Sequence, residues 1–353
     1  MSETSKHDTL FDMDKLFLQE TASKLVAPGK GILAADESTG TIKKRFDTIG
    51  VTSTPESNRV YRQLLFKTTG VEEFVSGVIL FDEAIRQKTD EGIFFVKYLS
   101  DKGIIPGIKV DKGAVDLPNF PGEKITEGLD GLPVRLSDYK GMGAGFTKWR
   151  AVITIGENSP TDTCINVNAE LLALFAAYSQ GADLVPVVEP EVLMDGSHDI
   201  KKSEESTYRT LKNVFKKLSE YKVYFPGMLL KPNWVHPGKE SGQSASDQEI
   251  AQATLRVLRE VVPSEVPGIV FLSGGDSPGE STSHLNALNE LNGVPWQLSF
   301  SFGRALQESV LKTWKGESGN LEAAQKEFYE RARLNSLARS GKYEKEMEGE
   351  NGK

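Results

Sequence analysis

Short apolar runs, most of them rich in β-branched residues, recur along the whole chain. Most are continuous rather than alternating, which is typical of strands in a parallel sheet that is covered on both faces. We predict eight strands from these runs: Gly31–Asp36, Gly77–Phe81, Ile104–Asp111, Gly145–Ile153, Asp183–Glu191, Pro226–Asn233, Gly268–Gly274 and Trp296–Gly303.

Helical periodicity appears between several of these strands. Val167–Ser179 and Gln248–Val261 both carry apolar residues at helical spacing. Strands that alternate with helices indicate βαβ units and a parallel sheet, and eight such units predict an α/β fold of the (β/α)8 TIM barrel type. We place the barrel at about residues 28–315 of a single domain that covers residues 1–353.

Helical extensions are predicted at both ends of this barrel. The N-terminal one takes about 25 residues, and the C-terminal region of about residues 316–353 contains a helix at Leu321–Ser340. The tail after Gly341 is predicted to be mobile. Pro106, Pro186 and Pro226 fall in or at the start of strands, where proline is disfavoured, so we expect bulges or late strand starts there.

Composition narrows the class of protein. With 38% hydrophobic and 26% charged residues, the chain of 353 residues is typical of a soluble globular protein. The formal net charge of −8 argues against nucleic acid or an anionic membrane as a partner. The polar N-terminus lacks the apolar core of a signal peptide, and the apolar run Ala169–Tyr178 is too short to span a bilayer.

Cys164 is the only cysteine, which excludes an internal disulfide and a multi-thiolate metal site. This usage suits a reducing compartment, so we expect a cytoplasmic protein. No histidine lies near Cys164 in sequence to lower its pKa, so a nucleophilic role is disfavoured.

Charged residues collect where the predicted strands end, which is where TIM barrels carry their catalytic side chains. A purely structural role would cost several kcal/mol of desolvation per buried ion, so we interpret the ring as an active site. The candidates are Asp36, Lys109, Lys148, Arg150, Glu189, Glu191, Lys231, Ser273, Gly274, Gly275, Gly303 and Arg304.

Lys231 is the strongest candidate for a nucleophile. It ends an apolar run and precedes Pro232, so its ammonium group is carried into an apolar wall. Burial lowers a lysine pKa, and a second cation, for which Lys148 is the candidate, lowers it further. A neutral amine attacks a ketone to form a Schiff base, and the protonated imine then accepts electrons while a C–C bond breaks.

Two glycine-rich turns indicate phosphate binding. The segments GIVFLSGG and SFGRAL fall in the seventh and eighth units, the usual phosphate site of this fold. Glycine lets backbone N–H groups approach phosphate oxygens, and the following helix adds a positive end. Arg304 could bind a phosphate through two nitrogens.

The four histidines test a metal-dependent alternative. His7 lies in the N-terminal extension, and His198, His236 and His284 lack the close spacing of zinc ligands. We therefore expect no catalytic metal. Because His198 and His236 follow the fifth and sixth strands, a site shared by these two stays open.

From about Leu16 to Tyr343, the sequence resembles class I fructose-bisphosphate aldolases. The resemblance is carried jointly by GKGILAADESTGTIKKR, GVILFDE, GIKVDKG, TEGLDGL, FTKWRAVI, VPVVEPEVLMDG, LLKPNWVHPG, FLSGGDS and SFGRALQ. It implies reversible cleavage of fructose 1,6-bisphosphate to dihydroxyacetone phosphate and glyceraldehyde 3-phosphate, without metal or other cofactor. It also implies a homotetramer.

The resemblance also implies roles for individual residues. Lys231 would form the Schiff base and Glu189 would be the general acid/base with Glu191 close by. Asp36 would assist proton transfer and Lys148 would hold both acids electrostatically. The implied binding residues for the phosphates and the sugar chain are Ser38, Thr41, Arg45, Lys109, Arg150, Ser273, Gly274, Gly275, Ser301, Gly303 and Arg304.

The sequence departs from relatives in this family at three places. Thr41 replaces a serine seen in some relatives, which should preserve a hydroxyl donor. The chain ends in GENGK rather than in the functional tyrosine of the animal members, and Tyr343 belongs to a separate GKYE element, so the group that protonates the enamine stays open. The segment LPNFPGEK after the third strand also differs and is expected to change a loop near the site. Two alternatives remain: a Schiff-base lyase for another phosphorylated sugar, and a non-catalytic scaffold on the same fold.

Overall fold

The computed structural model describes residues 15–291 and 293–348. Its central feature is a closed barrel of eight parallel strands. These are β1 (Gly31–Ala35), β2 (Val75–Leu80), β3 (Ile105–Lys109), β6 (Phe146–Ile153), β7 (Val185–Val192), β8 (Leu229–Leu230), β9 (Gly268–Phe271) and β10 (Gln297–Phe302). Around the barrel, neighbouring strands follow the order β1-β10-β9-β8-β7-β6-β3-β2. The predicted TIM barrel is confirmed.

Helices surround this barrel along the described part of the chain. They are α1 (Thr39–Asp47), α2 (Pro55–Phe66), α3 (Asp82–Ile85), α4 (Phe95–Asp101), α5 (Leu132–Gly141), α6 (Asp162–Gln180), α7 (Ile200–Glu220), α8 (Asp247–Val261), α9 (Pro278–Glu290), α10 (Arg304–Trp314) and α11 (Leu321–Ala338). None of the described helices combines the length and apolar character that crossing a membrane requires.

The N-terminal extension packs across one end of the barrel interior. Residues 15–25 are helical, and Leu18 and Leu25 are buried in one cluster with the inward-facing Ile79 of β2 and Val185 of β7. Residues 1–14, which include His7, lie outside the described residues. The helix therefore supplies apolar side chains to the end of the barrel where the strands begin.

Side-chain size is matched across neighbouring strands at this end. A Cβ on Gly107 of β3 would lie 2.3 Å from the Phe146 ring of β6, and a Cβ on Gly77 would lie 2.6 Å from Leu25. Such contacts are far below van der Waals distance, so only glycine leaves room for the neighbouring ring or methyl group. A larger residue at Gly107 would push Phe146 out of the interior.

The strand prolines meet the expectation of bulges or late strand starts in part. Pro106 and Pro186 are each the second residue of a strand and pair in regular register, with Val78 and Thr147 respectively. These described strands have no bulge at the proline, and they begin later than predicted, at Ile105 and Val185. Pro226 lies in a 3-10 turn before β8, so the predicted late start holds at that position.

The sequence prediction missed an antiparallel hairpin after β3. Its strands are β4 (Gly113–Asp116) and β5 (Lys124–Glu127), which pair through four residues each. The divergent LPNFPGEK segment, Leu117–Lys124, forms most of the turn between them. The change in sequence therefore falls in a hairpin beside the open end of the barrel.

In the C-terminal region, the mobility that we expect after Gly341 stays a prediction. Helix α11 confirms the predicted helical region, but the chain beyond it is packed rather than exposed at Tyr343, whose hydroxyl donates to Glu348 at 2.9 Å. The Glu348 carboxylate also pairs with buried Arg331 at 2.5 Å. Residues 349–353 lie outside the described residues.

Candidate active site

The inward face of each long strand changes from apolar to charged along its length. On β7, Val185 and Val187 belong to the interior apolar cluster, and the next residues on that face are Glu189 and Glu191. Alternate residues of a strand point to the same side, so the order of residues along the strand sets their depth in the barrel. The charged groups therefore gather at the ends of the strands.

The same arrangement on β6 brings cations opposite these acids. Phe146 is part of the interior cluster, and Lys148 and Arg150 follow on the same face. In the parallel register Arg150 is paired with Glu189, and Lys148 is paired with Lys109 of β3 on its other side. The predicted ring of cations and carboxylates is thus assembled by regular strand pairing.

Lys231 lies just beyond the short strand β8. Its backbone N–H donates to the Val188 carbonyl at 2.8 Å, which extends the parallel pairing by one residue and fixes the direction of the side chain. The Nζ atom lies 3.3 Å from Oε1 of Glu189, and both side chains are 4% exposed. A lysine this buried can change its charge state readily.

Lys148 connects two carboxylates at the same depth. Its Nζ lies 2.6 Å from Oδ2 of Asp36 and 3.1 Å from Oε2 of Glu189, and the Lys148 side chain is 5% exposed. Asp36 directly follows β1, which closes the barrel on the opposite side. Glu189 therefore lies between two ammonium groups, and Lys148 lies between two carboxylates.

These contacts separate the charge states of the two lysines. Burial lowers the pKa of Lys231. The Glu189 carboxylate opposes this effect and the Lys148 cation adds to it, so the net pKa of Lys231 lies below its usual value. Burial acts in the same direction on Lys148, but Asp36 and Glu189 together outweigh it and raise its pKa. Lys148 is the permanent cation and Lys231 the amine that loses its proton more easily.

The carboxylates are held in the charged form. Burial raises the pKa of Glu189, but Lys148, Lys231 and Arg150 outweigh burial and the net pKa is lowered. Burial likewise opposes ionisation of Asp36, and the same two lysines hold its pKa well below the usual range. If Lys231 loses its positive charge, Glu189 loses one of the cations that keep it ionised.

A second layer of ion pairs surrounds this centre. Arg150 Nε contacts Oε2 of Glu191. Burial lowers the pKa of Arg150, but the negative charge of Glu191 outweighs burial and the net pKa is raised. Lys109 Nζ contacts the buried carboxylate of Asp111 and donates to its backbone carbonyl at 3.0 Å. Asp111, which the sequence analysis did not select, also accepts from the Arg150 backbone N–H at 3.2 Å.

A cavity of about 1,220 Å³ opens over these groups. It is lined by almost all the residues predicted from sequence: Asp36, Ser38, Thr41, Arg45, Lys109, Lys148, Arg150, Glu189, Glu191, Lys231, Ser273, Gly274, Ser301, Gly303 and Arg304. Gly275 is the exception. Its backbone packs under Lys239 and Met194 instead, where an added Cβ would lie 1.9 Å from Lys239 Nζ.

One wall of the cavity has the features of an anion site. Helix α10 begins at Arg304, and Gly303, the residue directly before it, lines the cavity. The Arg304 side chain is exposed and Nη2 donates to the Gly274 carbonyl, which joins the loops after β9 and β10. Ser301 Oγ is buried without a hydrogen-bond partner among the described residues, and it also lines the cavity.

The neighbouring part of the cavity is built from the loop after β1 and helix α1, since β1 pairs with β10. Ser38 caps this helix, accepting from Thr41 N at 3.3 Å, and the two hydroxyl groups lie 3.0 Å apart. Arg45 pairs with the buried Glu37 carboxylate at 2.5 Å. Gln307 donates to that same carboxylate at 2.9 Å and to the Ala34 carbonyl at 2.8 Å.

The sequence analysis missed these supporting residues and several cations at the rim. Glu37 and Gln307 lie on a loop and a helix, so the strand-end rule does not select them. The missed rim cations are Lys44, Arg86, Lys112, Arg135 and Lys312, which also lie on loops or helices. For Lys44, the signal that could have found it is the cluster of three cations in the segment Thr39–Asp47, beside the predicted Ser38 and Thr41.

The family profile "Glycolytic: Fructose-bisphosphate aldolase class-I" matches residues 17–353. The chain belongs to the class I fructose-bisphosphate aldolase family.

Relatives named as aldolases match most of the chain. A "Probable fructose-bisphosphate aldolase class 1" of Xanthomonas campestris pv. campestris is 53% identical over 327 residues, which are 92% of this chain and 98% of that aldolase. The "Fructose-bisphosphate aldolase 4, cytosolic" of Arabidopsis thaliana is 51% identical over 323 residues, 91% of this chain and 82% of the relative.

Among solved structures, the chain resembles the fructose-bisphosphate aldolase of Plasmodium falciparum, determined in complex with TRAP and a small-molecule inhibitor. The TM-score is 0.92 at 49% identity, and the match covers 94% of this chain and 96% of that aldolase. Sequence and fold therefore assign the same family.

Proposed function

We propose that this aldolase reversibly cleaves fructose 1,6-bisphosphate to dihydroxyacetone phosphate and glyceraldehyde 3-phosphate through a Schiff base on Lys231. The observation that carries the mechanism is the buried Lys231–Glu189–Lys148 chain, with Nζ atoms 3.3 and 3.1 Å from the two Glu189 oxygens. It provides one amine with a lowered pKa, one permanent cation and one carboxylate between them.

The first half of the reaction forms the imine. The neutral Lys231 Nζ adds to the C2 ketone carbon, and the carbonyl oxygen takes up a proton to give a carbinolamine. Glu189 is the group within reach to deliver protons, since Oε1 lies next to Nζ. Loss of the C2 hydroxyl as water leaves the protonated imine.

The second half breaks the C3–C4 bond. A base removes the proton of the C4 hydroxyl, the electron pair of the C–C bond moves into the iminium, and glyceraldehyde 3-phosphate leaves. Glu189 is the proposed base, with Glu191 close by and Asp36 assisting proton transfer. The enamine is then protonated at C3, and water hydrolyses the imine to release dihydroxyacetone phosphate and the free amine.

The two phosphates would be bound by different groups of cavity-lining residues. Ser273, Gly274, Ser301, Gly303 and Arg304 form the wall proposed for the C1 phosphate, where helix α10 adds a positive end. Gly275 would shape this loop through its backbone. The wall proposed for the sugar chain and the C6 phosphate contains Ser38, Thr41, Arg45, Lys109 and Arg150.

Trapping of the imine tests this proposal. We expect that borohydride, added with fructose 1,6-bisphosphate, will leave a triose-phosphate adduct on Lys231 that peptide mass mapping locates. Cleavage that continues without an adduct would contradict the imine mechanism. Absence of both adduct and cleavage would favour a non-catalytic protein, and faster turnover of another phosphorylated sugar would favour a related lyase.

Replacing Arg304 should weaken substrate binding. We expect Arg304→Ala to raise KM for fructose 1,6-bisphosphate about 10- to 100-fold, since a hydrogen bond to a charged group contributes ~1.5–3 kcal/mol. Steady-state kinetics would measure this, with Lys312→Ala at the cavity rim as a matched control for loss of one cation. An unchanged KM for both bisphosphate and monophosphate sugars would remove Arg304 from the binding site.

Metal removal should leave the chemical step intact. In the proposed mechanism the imine accepts the electron pair, so we expect EDTA to leave kcat unchanged at saturating substrate. A kcat that falls with chelation and returns with added metal would contradict the metal-free step.

We further propose that the aldolase is a cytoplasmic homotetramer acting as a single domain. The single buried cysteine, Cys164, and the relative named as cytosolic support the compartment. Family resemblance supports the tetramer, and light scattering coupled to size exclusion would test it. A monomer or dimer at working concentration would contradict the tetramer.

A further inference from the structure

Two histidines and an aspartate that the proposed aldolase mechanism does not use lie close together near the phosphate loop. This loop is the turn at residues 273–275, where Ser273 and Gly274 are proposed to bind the C1 phosphate. His236 follows β8, Asp276 follows β9 and His284 lies in α9. One potential ligand atom from each of the three lies within 4.8 Å of the other two. Asp276 and His284 belong to one βα unit, and His236 comes from the preceding unit.

The Asp276 carboxylate is poorly satisfied by protein groups. Its side chain is 4% exposed, and Oδ2 has no hydrogen-bond partner in the described part of the chain. Nε2 of His284 lies 3.8 Å from Oδ2, which is beyond hydrogen-bond distance. A buried carboxylate oxygen without a partner is costly unless a cation or a donor lies against it.

Each of the two imidazoles has its Nδ1 atom close to an oxygen outside the cluster. Nδ1 of His284 lies 2.8 Å from an Asp247 carboxylate oxygen, and Nδ1 of His236 lies 2.5 Å from the Pro237 carbonyl. A neutral imidazole that carries its proton on Nδ1 has a free lone pair on Nε2, and this is the form that ligates metals.

We propose that His236, Asp276 and His284 form a binding site for a borderline divalent cation of the Zn²⁺ type. Two imidazole nitrogens and one carboxylate oxygen are a donor set that zinc accepts, with water as the fourth ligand. The nitrogen ligands disfavour Mg²⁺ and Ca²⁺, which prefer oxygen. The carboxylate of Asp247 on Nδ1 of His284 provides the outer-shell contact that commonly orients a metal-bound histidine.

The bound ion would brace the phosphate loop. Asp276 donates its backbone N–H to the Ser273 carbonyl at 3.1 Å, so a ligand bond to Asp276 restrains the turn from Ser273 to Gly275. Lys239, which donates to the Gly275 carbonyl at 2.6 Å, braces the same turn from the loop after β8. The ion would join the loops after β8 and β9 to helix α9 without touching the substrate.

Zn²⁺ binding can be measured apart from catalysis. After removal of metal, calorimetric titration of the full chain with Zn²⁺ should show one site, and Co²⁺ should give the visible absorption of a tetrahedral complex. His236→Gln and Asp276→Asn should lose this site, and Asp247→Asn should weaken it about 10- to 100-fold. His198→Gln is the matched control and should bind as the wild type does.

Zn²⁺ binding can also be tested on the wild-type chain, so the test does not depend on whether the variants fold. Zn²⁺ that binds the native state should raise the Tm of the metal-free protein, by mass action. Absence of one-site binding, or equal binding by wild type and the folded His236→Gln variant, would overturn the proposal.

The effect on the loop rests on the proposed phosphate role of Ser273 and Gly274. Removal of Zn²⁺, and the Asp276→Asn substitution, should raise KM for fructose 1,6-bisphosphate and leave kcat unchanged. If the wild type binds Zn²⁺ but its KM does not change when Zn²⁺ is removed, the proposed effect on the phosphate loop would be overturned and the metal site would not. The calorimetric result does not depend on which sugar is cleaved, so failure of the proposed function is distinguishable from failure of the site.

Discussion

Lys231→Met should abolish aldol cleavage, lowering kcat by ~10⁴-fold or more, the scale on which enzymes lose activity with their nucleophile. The thioether has a similar reach but cannot form an imine. The variant should also give no adduct when borohydride is added with substrate. Coupled detection of triose phosphate would measure the loss.

The structure indicates that this variant keeps its fold. Methionine fills most of the volume of the lysine stem, and Glu189 retains Lys148 at 3.1 Å as a counter-ion. Substitution also removes a buried ammonium group whose desolvation is unfavourable. We therefore expect an unchanged circular dichroism spectrum and a similar Tm.

Lys140→Met provides the matched control. Lys140 is half-buried, and burial lowers its pKa as it does for Lys231, but it lies outside the cavity lining and donates to the Asp183 carbonyl at 2.6 Å. Full turnover in this variant would show that the loss belongs to Lys231 and not to removal of any buried amine. Full turnover in Lys231→Met would contradict the imine mechanism.

The barrel and the ring of charges could be predicted because both follow from local patterns. Continuous apolar runs mark strands buried on both faces, and the polar residue that follows such a run marks the open end of the barrel. Glu189 and Lys231 were selected this way, and both lie in the cavity lining. The register between strands is set by closure of the barrel. It depends on all eight strands together and cannot be predicted from a single segment.

The missed features depend on contacts between distant segments. The hairpin strands Gly113–Asp116 and Lys124–Glu127 are only four residues long, too short for a clear alternating pattern. Tyr343 lies in a charged segment that resembles a free tail, but its backbone N–H donates to Asn286 at 2.9 Å. Such partners become visible only when the helices are packed together.

The supporting layer of the site was missed for the same reason. Gln307 donates to Glu37 across 270 residues of chain, and nothing in either local sequence predicts this contact. His236, Asp276 and His284 likewise belong to three elements, and the sequence analysis judged the histidines by spacing alone. Ligand spacing is informative within one motif and has little power when a barrel brings separate loops together.

Glu189→Gln should have the second-largest effect, lowering kcat about 10²- to 10⁴-fold, the usual contribution of a general acid/base. The amide has the same shape, so the cavity is preserved, but it can neither deliver nor accept the protons of dehydration and C–C cleavage. Steady-state kinetics with fructose 1,6-bisphosphate would measure the loss, and KM should change little because Glu189 is not part of either phosphate wall.

The pH profile separates this role from simple structural damage. Because the neutral amine is the reactive form, kcat/KM should rise with pH as Lys231 loses its proton. The Glu189 carboxylate raises the pKa of Lys231, against the lowering by burial and by Lys148. Its removal should therefore move the rising limb of the profile to lower pH.

Glu191→Gln is the matched control for this shift. Glu191 pairs with Arg150 rather than with Lys231, so removing its charge should leave the rising limb near its wild-type position. A limb that moves equally in both variants would mean that Lys231 responds to the total charge of the cavity. A limb that moves only in Glu189→Gln, together with the larger loss of kcat, would assign the proton transfers and the tuning of the nucleophile to the same carboxylate.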